Sequence, residues 1–172
     1  MNHNFLIDFP VLNTNRLRLR QPKSTDSSGV FTLRSDTQYS IWTGIPRYIN
    51  IEEAVQYIAR IHDDMRCGTC IFWTICKNSQ NRFIGSICLW NICWEEKQAE
   101  IGYDLLPDYR GNGFMLEAVQ SVMAYAFSTL GFSRIVADNV HPDNHSSVAL
   151  LVRADFLPLQ KPGSYERVLS SS

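Results

Sequence analysis

The chain has 172 residues, 45% of them hydrophobic, which is enough for one domain, 1–172, with a full core. A formal net charge of −1 gives no global field that would draw nucleic acid or an anionic membrane. No apolar run approaches the roughly 18 residues of a membrane span, and Met1-Asn2-His3-Asn4 has no basic region leading into an apolar one. The expectation is a cytoplasmic protein without nucleic-acid or membrane partners.

Asn15 to Gln21 alternates Leu17 and Leu19 with Arg16, Arg18 and Arg20, the pattern of a half-buried strand with one solvated face. Pro22 ends it. Asp26 to Arg34 reads as a short helix with Val30, Phe31 and Leu33 on its apolar side. Ser35 to Asn50 has little periodicity and reads as an aromatic loop around Trp42 and Tyr48. Asn50-Ile51-Glu52-Glu53 has the form of a capping box. The helix it opens carries Ala54, Val55, Ile58, Ile61 and Met65 on one face and stops at Gly68.

Two strands follow, Cys70 to Cys76 and Arg82 to Trp90, joined by a turn at Asn78-Ser79-Gln80-Asn81. Cys67-Gly68-Thr69-Cys70 has a C-x-x-C spacing, but Cys88 and Cys93 do not supply a second pair at metal-site spacing. The five cysteines are therefore read as free, mostly buried thiols, and no metal is expected.

The centre of the chain is Glu100-Ile101-Gly102-Tyr103-Asp104-Leu105-Leu106, then Pro107-Asp108-Tyr109, then Arg110-Gly111-Asn112-Gly113-Phe114-Met115. Ile101 to Leu106 is a strand with one acid in an apolar and aromatic run, and Pro107 ends it. Arg110 to Gly113 is a glycine-punctuated turn. From Leu116 an apolar face recurs at Val119, Val122/Met123, Ala126/Phe127 and Leu130, and Gly131 sits where a helix stop is expected. A glycine turn that opens a helix can hold phosphate, because the first amides of a helix lack partners and the dipole is positive there. It is neither a Rossmann fingerprint, since Leu116 stands at the third glycine, nor a Walker loop, since no lysine follows. Ser133 to Val140 is a further strand, Asn144 to Ala154 a short helix, and Phe156 to Leu169 two short strands around Lys161-Pro162-Gly163-Ser164. The order specifies a mixed α/β layer architecture.

Arg110-Gly111-Asn112-Gly113-Phe114-Met115 resembles the Q/R-x-x-G-x-G/A acetyl-CoA motif of the GNAT acetyltransferases. Leu12 to Arg20, Glu100-Ile101-Gly102-Tyr103, Gly113 to Ala118, and Asn144-His145-Ser146-Ser147 with Leu150, Leu151 and Phe156 resemble the RimJ/RimL branch, the ribosomal-protein N-terminal acetyltransferases. The resemblance runs from about Leu12 to Phe156. It implies a mostly antiparallel sheet of about six or seven strands, splayed at its middle and flanked by about four helices. It implies acetyl-CoA as cosubstrate and an amine acceptor, with a protein N-terminal α-amine the first candidate; the alternatives are an acyl-CoA-binding module without turnover and an acetyltransferase for a polyamine or antibiotic amine. A monomer and a homodimer are both compatible with it.

The resemblance also implies roles. The turn amides of Arg110, Gly111, Asn112, Gly113, Phe114 and Met115 hold the pyrophosphate. The strand edge at Ile101, Tyr103 and Leu105 pairs with pantetheine, whose two amides can bond like a peptide. Asn144 caps its helix and reaches the cofactor. Glu100 is the candidate base, against a reading as a surface strand carboxylate. Ser147 is the candidate acid for the thiolate, against a reading as a first-turn serine bonding locally, with Tyr103 and Tyr109 as fallbacks. Glu117 either holds the turn or merely suits the dipole. Trp42 and Tyr48 line the acceptor side, or belong to the core. Three departures stand out: Met115 at a Gly/Ala position, Asp155 at a usual Gly, and a short tail after Phe156 that would open the cleft or need a partner's strand.

Overall fold

The computed structural model describes residues 4–169. Met1 to His3, on which the absence of a leader was read, lie outside them. The elements are β1 (Leu12–Asn13), β2 (Leu17–Arg20), α1 (Ser27–Arg34), α2 (Thr37–Thr43), α3 (Ile51–Cys67), β3 (Ile71–Lys77), β4 (Phe83–Cys93), β5 (Gln98–Leu105), α4 (Phe114–Ser128), β6 (Arg134–Ala137), α5 (His145–Arg153), β7 (Leu157–Pro158) and β8 (Tyr165–Val168). The strands form one sheet in the order β1-β2-β3-β4-β5-β6-β8-β7. Every neighbouring pair is antiparallel except β5 and β6, which run parallel.

The fold is the expected mixed α/β type with a largely antiparallel sheet, but it has 8 strands and one more helix than anticipated. The added strand is the two-residue β1. The added helix is α2, which replaces the expected aromatic loop. Its core, Thr-Gln-Tyr-Ser-Ile-Trp-Thr, is poor in strong helix formers, so its ends specify it. Asp36 Oδ1 accepts from the Gln38 amide at 2.9 Å, and Gly44 takes the left-handed conformation (φ 70°) that stops it.

Alternation along the strands builds two faces. Ile71, Trp73 and Ile75 of β3, Ile87 and Leu89 of β4, and Ile101, Tyr103 and Leu105 of β5 share one face by register. That face meets the buried side of α4: Met115, Ala118, Val119, Val122, Met123 and Ala126. The helix begins at Phe114, directly after the glycine turn, and of the expected apolar face Leu116, Phe127 and Leu130 are only half-buried. The opposite face carries Glu100, Gly102 and Asp104 of β5 with Ser86, Cys88 and Trp90 of β4. It faces α1 and α3, whose Val30, Leu33, Ala54 and Ile58 close a second core around Phe83.

Arg20, read as solvated, is buried instead. Its guanidinium grips Asp26 at 2.7 and 2.8 Å, and Asp26 also accepts from Thr74 at 3.0 Å. The chain supplies its own last strands: β8 pairs with β6, Arg134 opposite Val168 and Ala137 opposite Tyr165. No partner's strand is needed there. Asp155 adopts a left-handed backbone (φ 62°), the conformation its usual glycine would take.

Candidate active site

Two glycines shape the turn before α4. Gly111 and Gly113 both have φ 74°, a conformation that side chains other than Asn and Asp resist. Around Gly111 no atom lies within 4 Å of where a Cβ would stand. Among the described residues, the backbone amides of 111–116 make no hydrogen bond, and α4 has no side-chain cap. A run of donor amides at a helix N-terminus, with open space before the glycine, fits a pyrophosphate. Arg110 is different: its amide already donates to Pro107 O at 3.1 Å. Its side chain turns back to the strand, donating to Leu105 O at 3.0 Å, and its guanidinium lies 5.8 Å from the Trp42 ring. Met115 is buried in the core, so only its amide faces the turn.

Glu117 holds this turn. Its carboxylate accepts from Thr14 Oγ1 (2.5 Å), Arg16 N (2.8 Å) and Arg16 Nε (2.6 Å). Burial would raise its pKa, but these bonds outweigh burial and hold it below the usual carboxylate range. Arg16 in turn donates from Nη1 to Asn112 O at 3.0 Å and stacks 4.6 Å over the Phe114 ring. A fixed cation therefore stands beside the amides, which the sequence did not reveal.

The strand edge comes from the fork in the sheet. Parallel pairing of β5 with β6 runs only from Gln98 opposite Arg134 to Glu100 opposite Val136. Past Glu100 the two strands part, and Ile101 to Leu105 keep β4 as their only strand neighbour among the described residues. The edge that leads to the glycine turn is thus free to pair with an extended, amide-bearing ligand.

On the α4 face of this edge two hydroxyls meet. Ser147 Oγ lies 2.8 Å from Tyr103 Oη. Asn144 Oδ1 caps α5, accepting from the Ser147 amide at 3.1 Å, and Ser146 Oγ makes the local bond to Asn144 at 2.8 Å. Ser147 is therefore not spent on local bonding; its hydroxyl crosses from α5 to β5. Burial pushes the Tyr103 phenol up to about 12, against the pull of the Ser147 bond, so it keeps its proton at neutral pH. The first choice and the fallback for the acid role are one pair. Tyr109 sits elsewhere, lining a cavity with Asp26, Arg82 and Phe83.

On the other face Glu100 accepts from Asn91 Nδ2 at 2.8 Å and lines a cavity of about 290 Å³ with Arg134, Asp138 and Lys161. Trp42, on α2, is half-buried. Tyr48 packs against the second core and accepts from Arg34 Nη1 at 3.3 Å. Arg34 stacks 3.7 Å over the Tyr57 ring, with Tyr39 and Tyr48 at 5.3 and 5.4 Å. Asp104 points into this group and was not among the expected site residues. All five cysteines are free thiols, Cys70 and Cys76 buried and Cys67 exposed. Among the described residues no three His, Cys, Asp or Glu converge on a metal position, and no helix is long and apolar enough to cross a membrane.

An amide cradle at the end of an unpaired strand edge is what a pantetheine-linked nucleotide requires. Residues 16–157 match the family described as acetyltransferase (GNAT) domain. The chain is 35% identical over 158 residues to the uncharacterized N-acetyltransferase YoaA of Bacillus subtilis (strain 168), which covers 90% of this chain and 85% of YoaA. The fold is similar to RimL, a ribosomal L7/L12 α-N-protein acetyltransferase in complex with coenzyme A, at TM-score 0.79 and 21% identity, covering 93% of this chain and 98% of RimL. It is also similar to the microcin C7 self-immunity acetyltransferase MccE in complex with acetyl-CoA and AMP, at TM-score 0.77 and 20% identity, covering 91% of this chain and 94% of that one. The chain belongs to the GNAT acetyltransferase family and is an N-acetyltransferase that uses acetyl-CoA.

Proposed function

We propose that this enzyme acetylates an α-amine of RimJ/RimL type, a protein or peptide N-terminus, by direct transfer from acetyl-CoA. The observation that carries the reading is the hydroxyl pair of Tyr103 and Ser147 beside the open edge of β5. Both hydroxyls border the stretch of β5 that has no second strand neighbour, which supports a proton donor for the leaving thiol at that edge.

In this reading the amides of 111–116 hold the pyrophosphate, with Arg16 adding charge beside them. The open edge from Ile101 to Leu105 aligns the pantetheine, and one of its amides polarises the thioester carbonyl. Acetyl-CoA, when bound, supplies an activated acetyl group and a thiol leaving group. Ser147, backed by Tyr103, protonates that leaving group; Asn144 keeps Ser147 in place through the cap of α5. Glu100, at the point where the strands part, draws the acceptor ammonium into the fork.

The acceptor's acidity favours an α-amine. With a pKa of about 7.7–8.0 it is already roughly a tenth to a sixth neutral at pH 7, whereas a lysine near 10.4 is neutral about one time in two thousand. Ile41, Ile45 and Ile49, in the segment that carries Trp42, are 56, 37 and 83% exposed, and such a segment suits an apolar peptide better than a small polyamine. Release of free thiol from acetyl-CoA with N-terminal peptides, lysine peptides and polyamines in parallel tests the reading; transfer to polyamines alone would overturn it.

Trp42→Ala should raise the acceptor KM by about tenfold and leave coenzyme A affinity unchanged, as expected for an apolar contact worth about 1.4 kcal/mol. Steady-state kinetics with calorimetry checks this. A lowered melting temperature without a kinetic change would return Trp42 to the core.

A further inference from the structure

We propose that Asp104 takes the proton from the acceptor ammonium, working from the opposite face of β5 to the hydroxyl pair. The inference rests on the α-amine reading above and adds the residue that performs its first step.

Position carries the argument. Successive residues of a strand point to opposite faces, so Tyr103 and Asp104 border the same point of the open edge from its two sides. Glu100 lies three residues before Tyr103, about 10 Å up the strand at ~3.3 Å per residue. A proton leaving the amine and a proton reaching the thiolate must flank one reacting carbon, and Asp104 with Tyr103 does that. Gly102 clears the approach. That approach is by β4 side chains: a Cβ there would stand 3.2 Å from Cys88 Sγ and 3.7 Å from Trp90 Nε1, so only glycine lets them pack over the strand beside Asp104.

The surroundings fit a proton acceptor. Asp104 is half-buried, yet its carboxylate has no hydrogen bond or ion pair among the described residues. Asp26, Glu117, Asp138 and Glu166, by contrast, are each tied to a cation. The groups around it are Arg34 of α1, Tyr39 of α2, Tyr48 of the following loop, Tyr57 of α3, Ser86 and Cys88 of β4, and Arg110. Arg34 is engaged by the tyrosines and Arg110 by Leu105 O, so neither cation closes on the carboxylate. Burial pushes Asp104 up to about 7, against the pull of Arg34 and then Arg110. A carboxylate at that value exchanges protons readily with both an α-amine and water.

The protons balance. The ammonium gives its first proton to Asp104 and the freed lone pair forms the C–N bond as the C–S bond breaks. The nitrogen then loses its second proton to solvent, and the thiolate takes one from the Ser147–Tyr103 pair, which recovers its proton from solvent. Asp104 returns its proton to solvent, so one proton is released per turnover.

The test compares Asp104→Asn, Asp104→Glu and Glu100→Gln with wild type, each checked for coenzyme A binding by calorimetry. Asp104→Asn should lose about 10²–10⁴ in kcat/KM for an N-terminal peptide. The lower inflection of its pH profile should move from near 7 to the amine's own value, about 8. Asp104→Glu should restore part of the rate, and Glu100→Gln should raise KM without moving the inflection. A second measurement needs no turnover. A carboxyl whose folded pKa lies above its unfolded value binds its proton more tightly when folded, so stability is lost as pH rises from about 4 to 7. The melting temperature of Asp104→Asn should therefore gain on wild type between pH 5 and 8. A wild-type rate and inflection in Asp104→Asn, or a constant melting difference across that range, overturns the proposal. If wild type acetylates polyamines and no peptide, the α-amine reading falls by itself, and the same variants assayed on the polyamine decide Asp104.

Discussion

Ser147→Ala lowers kcat by about 10²–10⁴, the range a positioned proton donor contributes, while coenzyme A binding stays near wild type. The expectation follows from where the hydroxyl goes. Ser147 sits in the first turn of α5, where a serine usually bonds its own backbone. Here Ser146 makes the local bond and Ser147 reaches Tyr103 at 2.8 Å. A serine hydroxyl is a weak acid, so donation needs a second group that replaces the proton as it leaves. Tyr103 is suited to this, because burial holds its phenol protonated. Tyr103→Phe should then cost a comparable factor, and the double variant should cost little more than either single change, since residues that act as a unit are not additive. Single-turnover rates separate this from binding. Wild-type turnover in Ser147→Ala removes that residue from the mechanism and leaves the role to Tyr103 or solvent. Additive losses would mean that the two hydroxyls act separately.

The parts of this site that the sequence disclosed are those with a local physical signature. Gly111 and Gly113 are visible as glycines because a left-handed backbone needs them, and their free amides follow from any helix start. Asn50 and Glu53 announce α3 through a reciprocal cap, and the structure has both bonds, at 3.1 and 3.2 Å. Asn144 announces α5 by a one-sided cap, its Oδ1 accepting from the Ser147 amide at 3.1 Å. The helix α2 was missed because its interior residues, Tyr39, Ile41 and Trp42 among them, are weak helix formers. Asp36 and Gly44, one at each end, were the readable signal.

Groups that act through long-range contacts were less legible. Glu117 bonds Thr14 and Arg16, about a hundred positions away in the chain, and a first-turn acid reads the same whether or not such partners exist. Arg20 looked solvated by alternation, but Asp26 folds back over it and turns an outward position into a buried pair. Asp104 left a signal that went unused. It is the one acid in the apolar run from Ile101 to Leu106, and a lone carboxylate in a buried strand is costly unless something is done with it. Which face it joined, and that Arg34 and three tyrosines waited there, depended on sheet register and on helices from the first third of the chain.

Gly111→Val and Gly113→Val should each raise the dissociation constant for coenzyme A at least about tenfold, which is about 1.4 kcal/mol. Two effects combine. At φ 74° a side chain costs about 1–2 kcal/mol of backbone strain, and a β-branched one sits at the upper end. The turn would escape that strain by rotating, which redirects the amides of 111–116. The new side chain also enters the space an anion needs. At Gly111 a Cβ meets no protein atom within 4 Å, so the added atoms clash with nothing in the fold and stand in front of the amides. At Gly113 the nearest atom is Arg16 Nη2 at 3.5 Å, so the substitution also presses on the cation beside the cradle. Gly111→Val is therefore the cleaner experiment: its melting temperature should fall only by what the strain costs, while calorimetry records the loss of affinity. Gly113→Val should lose more, because Arg16 ties the turn to Glu117 and the β1–β2 connection. Unchanged coenzyme A affinity in both variants, with the fold intact, would sink the assignment of these amides to the pyrophosphate.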